Sequence, residues 1–245
     1  MEVGARHVTQ QQEPTVRLYL IRHGETEWSL SGQHTSRTDI SLTERGEREA
    51  RSLRERLNEI EFSGVFSSSR QRARRTYTLA ELIQEAEIDP DLAEWDYGDY
   101  EGRRSEDISR ERPDWNLFRD GCPSGETPTQ VSSRADRLIV RLRALQGNIA
   151  LFSHGQFGCA LAARWIGLPV IEGQHFLLDP ASLSILGYEP NHPTIPSILL
   201  WNASSGMITS SDATSRSGQA AILHHLPEGQ LPTTEREVHA APATA

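Results

Sequence analysis

Short apolar runs end in polar residues at three places along the chain, and each run predicts a buried β-strand. Residues 16–21 form the first run, and Val65 and Phe66 in GVFSSSR form the second. The third is NIALFSHG, residues 148–155. Two further runs, LSILGYE and PSILLWN, flank an Asn-His-Pro sequence and predict a closing strand pair.

The stretches between these runs place apolar residues at helical spacing. They predict helices over residues 43–60 with Thr43 as the N-cap, over 70–85, from near Pro128 to Gly147, and over 156–166. In the second of these helices the spacing directs five residues towards the core: Ala73, Thr76, Leu79, Ala80 and Ile83. The third predicted helix contains Leu138, Val140, Leu142 and Leu145.

Strands that alternate with helices predict an α/β protein, a three-layer α/β/α sandwich with a mainly parallel sheet. The pattern ends near Asn202, so we expect one domain over residues 15–202. Residues 1–14 are polar and aperiodic and predict a flexible leader. Residues 203–245 are rich in Ser, Ala, Thr, Gly and Pro and predict a disordered tail.

Composition then excludes several classes of partner. The net charge of −9 and the pI near 5.5 argue against a nucleic acid or an anionic membrane as the partner. Two cysteines and the lack of a long apolar run predict a soluble, cytoplasmic protein without a disulfide framework. The sequence leaves open whether the chain forms a homo-oligomer.

The candidate chemistry lies where the three predicted strands end. Arg22 and His23 follow the first strand, Arg72 lies just beyond the serines that end the second, and His154 follows the third. In a mainly parallel sheet these positions meet at the carboxyl edge, where ligands bind. Two arginines and two histidines there predict a pocket for phosphate.

This residue set suits phosphoryl transfer without a metal ion. A neutral imidazole can attack phosphorus, and the arginines can supply the positive charge that a metal would otherwise provide. The departing alcohol needs an acid, and Glu94 in DLAEWDYGDYEG offers one. The predicted partner is therefore a small phosphorylated metabolite, with no cofactor and no metal.

Five segments in order resemble the histidine phosphatase superfamily, in its phosphoglycerate mutase-like branch. They are LIRHGETEW, SLTERGEREA, FSSSRQRARRT, LAEWDYGDYEG and LFSHGQF, and the resemblance spans residues 16–202. FRDGCPSGET and FLLDPASLSILGY add a similarity to the sedoheptulose-1,7-bisphosphatase type. The resemblance implies a phosphoglycerate mutase-like fold and a sugar phosphate or bisphosphate as substrate.

The resemblance also implies a role for each candidate. His23 would form a phosphohistidine, Glu94 would donate the proton, and Arg22, Arg72 and His154 would hold the phosphoryl group. Further phosphate or substrate contacts would come from Thr26, Ser29, Thr35, Ser36 and Tyr97, and Ser36 and Gln156 depart from the residues usual in the family. Arg103, Arg104 and residues 118–127 are candidates for the distal end of the substrate.

Several alternatives stay open at this point. Spacing alone does not select Arg72 over Arg70, Arg74 and Arg75, or Glu94 over Asp91, Asp96, Asp99 and Glu101. The remaining histidines, His34 among them, show no metal-ligand spacing. A phosphoglycerate mutase and a non-catalytic phosphate-binding protein are the alternative functions. A short segment after the acid loop favours hydrolysis over the mutase reaction.

Overall fold

The computed structural model describes residues 16–204, so the predicted leader and residues 205–245 of the predicted tail lie outside the described part. Ala203, assigned to the tail from sequence, is the last residue of a strand. The strands and helices of the described part are β1 (Arg17–Arg22), α1 (Glu27–Ser31), α2 (Glu44–Leu57), β2 (Phe62–Ser67), α3 (Gln71–Ala80), β3 (Glu87–Ile88), α4 (Ser105–Glu111), α5 (Leu117–Asp120), α6 (Pro128–Arg143), β4 (Asn148–Ser153), α7 (Gly155–Trp165), β5 (Leu183–Glu189) and β6 (His192–Ala203). Short 3₁₀ turns occur at Pro90–Leu92, Gly98–Tyr100 and Val170–His175.

The strands form one sheet in the order β3-β2-β4-β1-β5-β6. The first four strands in this order run parallel, whereas β5 and β6 are antiparallel to their neighbours. Arg22 pairs with Ser153, and Ser67 pairs with Phe152, so β1, β2 and β4 end at the same level. The predicted convergence of three strand ends is confirmed.

Strand β1 shows how the sequence builds a layer on each face. Successive side chains of a strand point to opposite faces. Leu18 and Leu20 join the core that includes residues of α6 and α7, while Tyr19 and Ile21 join the core that includes residues of α2 and α3. The predicted three-layer α/β/α architecture is therefore confirmed.

The beginnings of the helices follow their sequence signals. Thr43 caps α2, because its hydroxyl oxygen accepts a hydrogen bond from the Gly46 amide at 3.0 Å. Helix α7 begins one residue before the predicted start, and α6 begins at Pro128 as predicted. Helix α2 ends at Leu57, three residues before the predicted end.

Three further predictions about helix and strand boundaries were wrong. Helix α3 ends at Ala80, because Glu81 takes a left-handed conformation (φ +53°), and Ile83 is 99% exposed. Helix α6 ends at Arg143, before Leu145, and its Val140 faces solvent. His192, placed in the closing turn from sequence, begins β6.

None of the helices within residues 16–204 is both long enough and apolar enough to cross a lipid bilayer.

Candidate active site

Three residues that directly follow strands form the centre of the site. His23 follows β1, Ser68 follows β2 and His154 follows β4. The rings of His23 and His154 lie edge to face with centroids 5.2 Å apart. Both imidazoles are almost completely buried, so the fold removes two polar rings from water at one point. Such a cost is tolerated where the rings meet a ligand.

His23 is held in one tautomer. Its Nδ1 lies 2.8 Å from the carbonyl oxygen of Gly24, which can only accept, so Nδ1 carries the proton. The other nitrogen, Nε2, is therefore the one with a free lone pair. Burial, Arg72 and Arg22 together hold the pKa of His23 well below its ordinary value, which keeps the ring neutral. A neutral, oriented imidazole is the form that acts as a nucleophile.

His154 is oriented from β2. Its Nε2 lies 2.8 Å from the hydroxyl oxygen of Ser68. Its Nδ1 is buried and has no hydrogen-bond partner among the described residues. Burial, followed by the charge of Arg72, holds the pKa of His154 well below its ordinary value. One ring nitrogen is thus left for a ligand.

Arg22 and Arg72, like His154, each have a buried nitrogen atom without a hydrogen-bond partner within residues 16–204. Arg72 is fully buried and donates to the carbonyl oxygens of Thr35, Ser36 and Thr38 at 3.0 to 3.2 Å. Arg22 donates to the carbonyl oxygen of Leu178. The Nε atoms of both are buried and unpartnered within residues 16–204, and neither forms an ion pair there with an Asp or a Glu. Burial lowers the pKa of both guanidinium groups.

Two glycine contacts make room for this arrangement. A Cβ on Gly155, the first residue of α7, would lie 3.3 Å from the Arg22 guanidinium carbon. A Cβ on Gly24 would lie 2.4 Å from the Gly46 carbonyl oxygen, so a side chain there would push α2 away. The glycine after His23 therefore lets the loop pass directly against the start of α2.

Glu94 lies at the amino end of α7. Its carboxylate accepts the backbone amides of Trp95 at 2.8 Å, Phe157 at 2.7 Å and Gln156 at 3.1 Å. A helix amino terminus and three amide donors attract an anionic group. Glu94 is nearly buried and borders the same cavity as Arg22 and His23, so it stands beside the predicted phosphate position.

The cavity at this site has a volume of about 330 Å³. Besides Arg22, His23 and Glu94, its lining includes Gly155 and Gln156 from the start of α7. Arg72 and His154 are completely buried and are not among the residues that line it. A larger cavity of about 640 Å³ lies along α3 and β2, and it contains neither histidine of the site. Arg22, with its buried unpartnered Nε, lines the smaller cavity, whereas no described residue that lines the larger one has a buried unpartnered side-chain atom.

Of the five further contact residues predicted from the resemblance, three line the cavity and two do not. Ser29, Thr35 and Tyr97 line the cavity. Thr26 is fully buried and shares a capping box with Ser29 at the start of α1. Ser36 is buried; its amide donates to the Glu101 carboxylate and its carbonyl accepts from Arg72. Thr26 and Ser36 therefore support the loop around the cavity.

Most of the acids and arginines that the sequence offered as alternatives to Glu94 and Arg72 have other partners or lie elsewhere. Arg75 pairs with Glu47, and Arg74 is exposed. Arg70 lines a separate cavity of about 270 Å³ on another side of Glu94. Among the acids, Asp91 pairs with Arg137, Asp96 pairs with Arg37, Asp99 accepts from Ser124, and Glu101 accepts from the amides of Ser36 and Thr38.

Two residues that sequence reasoning did not assign to the site matter for it. His34 lines the cavity, stacked on Tyr97 with ring centroids 4.4 Å apart. Its position next to Thr35 was the signal that could have placed it there. Arg134 of α6 donates to the carbonyl oxygens of Ala93 and Glu94 and so fixes the loop that carries the acid. No sequence pattern marks that long-range contact.

Residues 16–204 contain no group of three or more His, Cys, Asp or Glu side chains placed to hold a metal ion.

Comparison with protein families identifies the chain. A model of the histidine phosphatase superfamily (branch 1) matches residues 18–203. The chain belongs to this superfamily. An acid phosphatase of Mycobacterium tuberculosis is 42% identical over 177 residues, which are 71% of this chain and 87% of that protein. A sedoheptulose 1,7-bisphosphatase of Saccharomyces cerevisiae is 39% identical over 189 residues, which are 64% of this chain and 69% of that protein.

A solved structure agrees with this assignment. The protein of an open reading frame from Mycobacterium tuberculosis superposes with a TM-score of 0.71 at 36% identity, over 77% of this chain and 97% of the other. The predicted phosphoglycerate mutase-like fold is thereby confirmed as the fold of this superfamily. The names of the two sequence relatives differ in their substrates, so membership leaves the substrate to be argued from the site.

Proposed function

We propose that this member of the histidine phosphatase superfamily, a phosphoric monoester hydrolase, cleaves small sugar phosphates or bisphosphates through a phosphohistidine on His23. One observation carries the proposal. The Nε atoms of Arg22 and Arg72 and the Nδ1 atom of His154 are all buried without a partner, around a histidine whose Nε2 is free. A tetrahedral phosphate has the charge and the oxygen atoms that these groups lack.

The first step is attack of His23 Nε2 on the substrate phosphorus. The bond between phosphorus and the leaving oxygen breaks, and that oxygen takes a proton from Glu94. Arg22 and Arg72 stabilise the charge on the equatorial oxygens.

The second step reverses these roles with water. Glu94, now a carboxylate, takes a proton from water, whose oxygen attacks the phosphorus of the phosphohistidine. The bond between phosphorus and Nε2 breaks, and His23 returns to its neutral form as inorganic phosphate leaves. The guanidinium groups supply the positive charge in both steps, so the proposed reaction requires neither a metal ion nor a cofactor.

The setting that we propose is carbohydrate metabolism in the cytoplasm, with a small phosphorylated metabolite as the partner. Two buried thiols, Cys122 and Cys159, are free, which suits a reducing compartment. The negative net charge disfavours nucleic acid and anionic lipid.

The test is phosphate release from a panel of sugar phosphates in the presence of a chelator. We expect full activity with chelator, and a loss on the order of 10⁴-fold or more for His23→Ala. The matched control is His192→Ala, since His192 is exposed on the first residue of β6. Full activity in His23→Ala, or complete loss of wild-type activity with chelator, would contradict the proposal.

A mutase assay run beside the phosphate-release assay separates the alternatives. Dominant isomerisation of 3-phosphoglycerate over phosphate release would identify a mutase. Binding of phosphate without any turnover of the panel would identify a non-catalytic protein.

A further inference from the structure

Part of the lining of the active-site cavity is aromatic and polar. It is formed by Trp28, by His34 stacked on Tyr97, by Ser105 and by Phe176. In the proposed reaction the substrate phosphate lies against Arg22 and His23, which leaves these other lining residues to contact the alcohol that is to be released. We call these five residues the leaving-group wall.

The leaving-group wall carries no positive charge. The full sequence contains no lysine, so every basic side chain except histidine is an arginine. Within the described part of the chain, Arg22 is the one arginine among the residues that line the cavity. His34 does not replace a cation, because burial lowers its pKa to about 4 and leaves the ring neutral at physiological pH.

Most arginines close to this wall along the chain have other partners. Arg103, a sequence candidate for the distal end of the substrate, pairs with Glu111 at 2.6 Å. Arg112 donates to the hydroxyl of Tyr100 at 3.2 Å, and Arg37 pairs with Asp96. Arg104 lies directly before Ser105 and its side chain is exposed.

Acidic residues at the cavity also disfavour a second phosphate on the substrate. Glu94 and Asp179 both border it. A second phosphate on the substrate would therefore add a dianion near the carboxylate of Asp179, without a guanidinium or ammonium group on the wall. Buried anions without a counter-charge are strongly disfavoured.

We infer that the leaving-group wall selects monophosphates of uncharged, hydroxyl-bearing ring alcohols over bisphosphates. Aromatic faces pack against the C–H face of a sugar ring, while the hydroxyl of Ser105 and the amide of Gln156 can meet its hydroxyl groups. The inference rests on the proposed function and narrows its substrate from sugar phosphates in general to monophosphates.

The experiment compares fructose 6-phosphate with fructose 1,6-bisphosphate, which carry their phosphates on primary hydroxyl groups of the same sugar. Initial rates of phosphate release give kcat/KM for each. We expect the wild-type enzyme to favour the monophosphate by about tenfold or more, because the site repels the second phosphate. An equal or higher kcat/KM for the bisphosphate would overturn the inference.

A new cation on the wall should weaken this selection. Ser105→Lys places an ammonium group at the wall, so the ratio of monophosphate to bisphosphate kcat/KM should fall about tenfold relative to the wild type. Ser133→Lys adds the same charge to an exposed position on α6 and should leave the ratio unchanged. Equal effects of the two variants would overturn the inference.

Two neutral variants test the remaining sources of positive charge. His34→Gln and Arg104→Gln should both keep the ratio of the wild type. If either variant lowered turnover of the bisphosphate selectively, that side chain would bind the second phosphate, and the inference would be wrong. Absence of phosphate release from both sugars, with no phosphohistidine formed from either, would instead refute the proposed function.

Discussion

Arg72 and Arg134 are both buried arginines, but their surroundings differ in one respect. Arg134 pairs with Glu126 through two nitrogen atoms, at 2.9 and 2.7 Å, and donates its other hydrogens to backbone carbonyl oxygens. It also stacks over the ring of Phe157 at 4.1 Å. Arg72 bonds only to carbonyl oxygens, and its Nε has no partner among the described residues.

The difference separates a structural cation from a binding cation. A guanidinium group whose donors and charge are all matched within the protein contributes to folding and has nothing left for a ligand. A buried guanidinium with an unmatched charge destabilises the folded protein, and binding of an anion offsets that destabilisation. On this basis we propose that Arg72 and Arg22 bind the substrate anion, whereas Arg134 holds the Glu94 loop in place through its carbonyl contacts.

The largest expected effect that tests the comparison is on catalysis. Arg72→Met should lower kcat/KM by about 10² to 10³-fold, because a charge that stabilises the transition state is lost. The same change should alter the free energy of unfolding by less than about 1 kcal/mol, since the lost carbonyl contacts are offset by removal of an unpaired buried charge. Steady-state kinetics and urea denaturation measure the two quantities. A strong loss of stability with normal kinetics would contradict the distinction.

Arg134→Met should give the reverse pattern. Its removal leaves Glu126 without its partner and frees the carbonyl oxygens of the acid loop, so the free energy of unfolding should fall by about 3 kcal/mol. Urea denaturation monitored by circular dichroism measures this change. If Arg134→Met left stability unchanged and abolished the binding of phosphate, the two arginines would have been assigned the wrong way round.

Inorganic phosphate gives a more direct comparison of the folded proteins. At about 100 times its dissociation constant, phosphate should stabilise the wild type by about 2.7 kcal/mol. Thermal unfolding should show this stabilisation in His192→Ala but not in Arg72→Met, because only the latter lacks a phosphate-binding group. Equal stabilisation of all three proteins would place the anion site elsewhere.

The smallest expected effect extends the comparison to the histidines of the site. Unfolded His34 takes up a proton near pH 6.5, but the folded side chain does so only at about pH 4. Between these values the unfolded state binds more protons, so stability falls as the pH falls. Denaturation at several pH values should show a loss of about 1 kcal/mol per pH unit from this residue, and His34→Gln should reduce the slope by that amount. An unchanged slope would show that His34 titrates normally in the folded protein.

The fold could be predicted in most of its parts because it rests on local patterns. Apolar runs and helical spacing determine which faces of β1, α2 and α7 are buried, and Thr43 marks the start of α2. The end of α3 could not be predicted in the same way. Ile83 continues the apolar period, but the left-handed conformation of Glu81 ends the helix before it. No glycine or proline in the sequence marks that end.

The site was only partly predictable for a similar reason. The positions of Arg22, His23 and His154 after strands follow from sequence, because parallel strands share a carboxyl edge. Arg72 was distinguished from its neighbouring arginines only by resemblance, and burial now separates it from the exposed Arg74 and Arg75. The pairing of Ser68 with His154 depends on contacts between distant segments, which no local spacing records.

The central claim is that His23 carries the phosphoryl group during turnover. The most direct measurement is rapid alkaline quenching of the wild-type enzyme with a labelled sugar phosphate, followed by peptide mapping. We predict an alkali-stable, acid-labile label on His23, and none in His23→Ala. A wild-type enzyme that releases phosphate with no label on His23, or with the label on another residue, would contradict the mechanism.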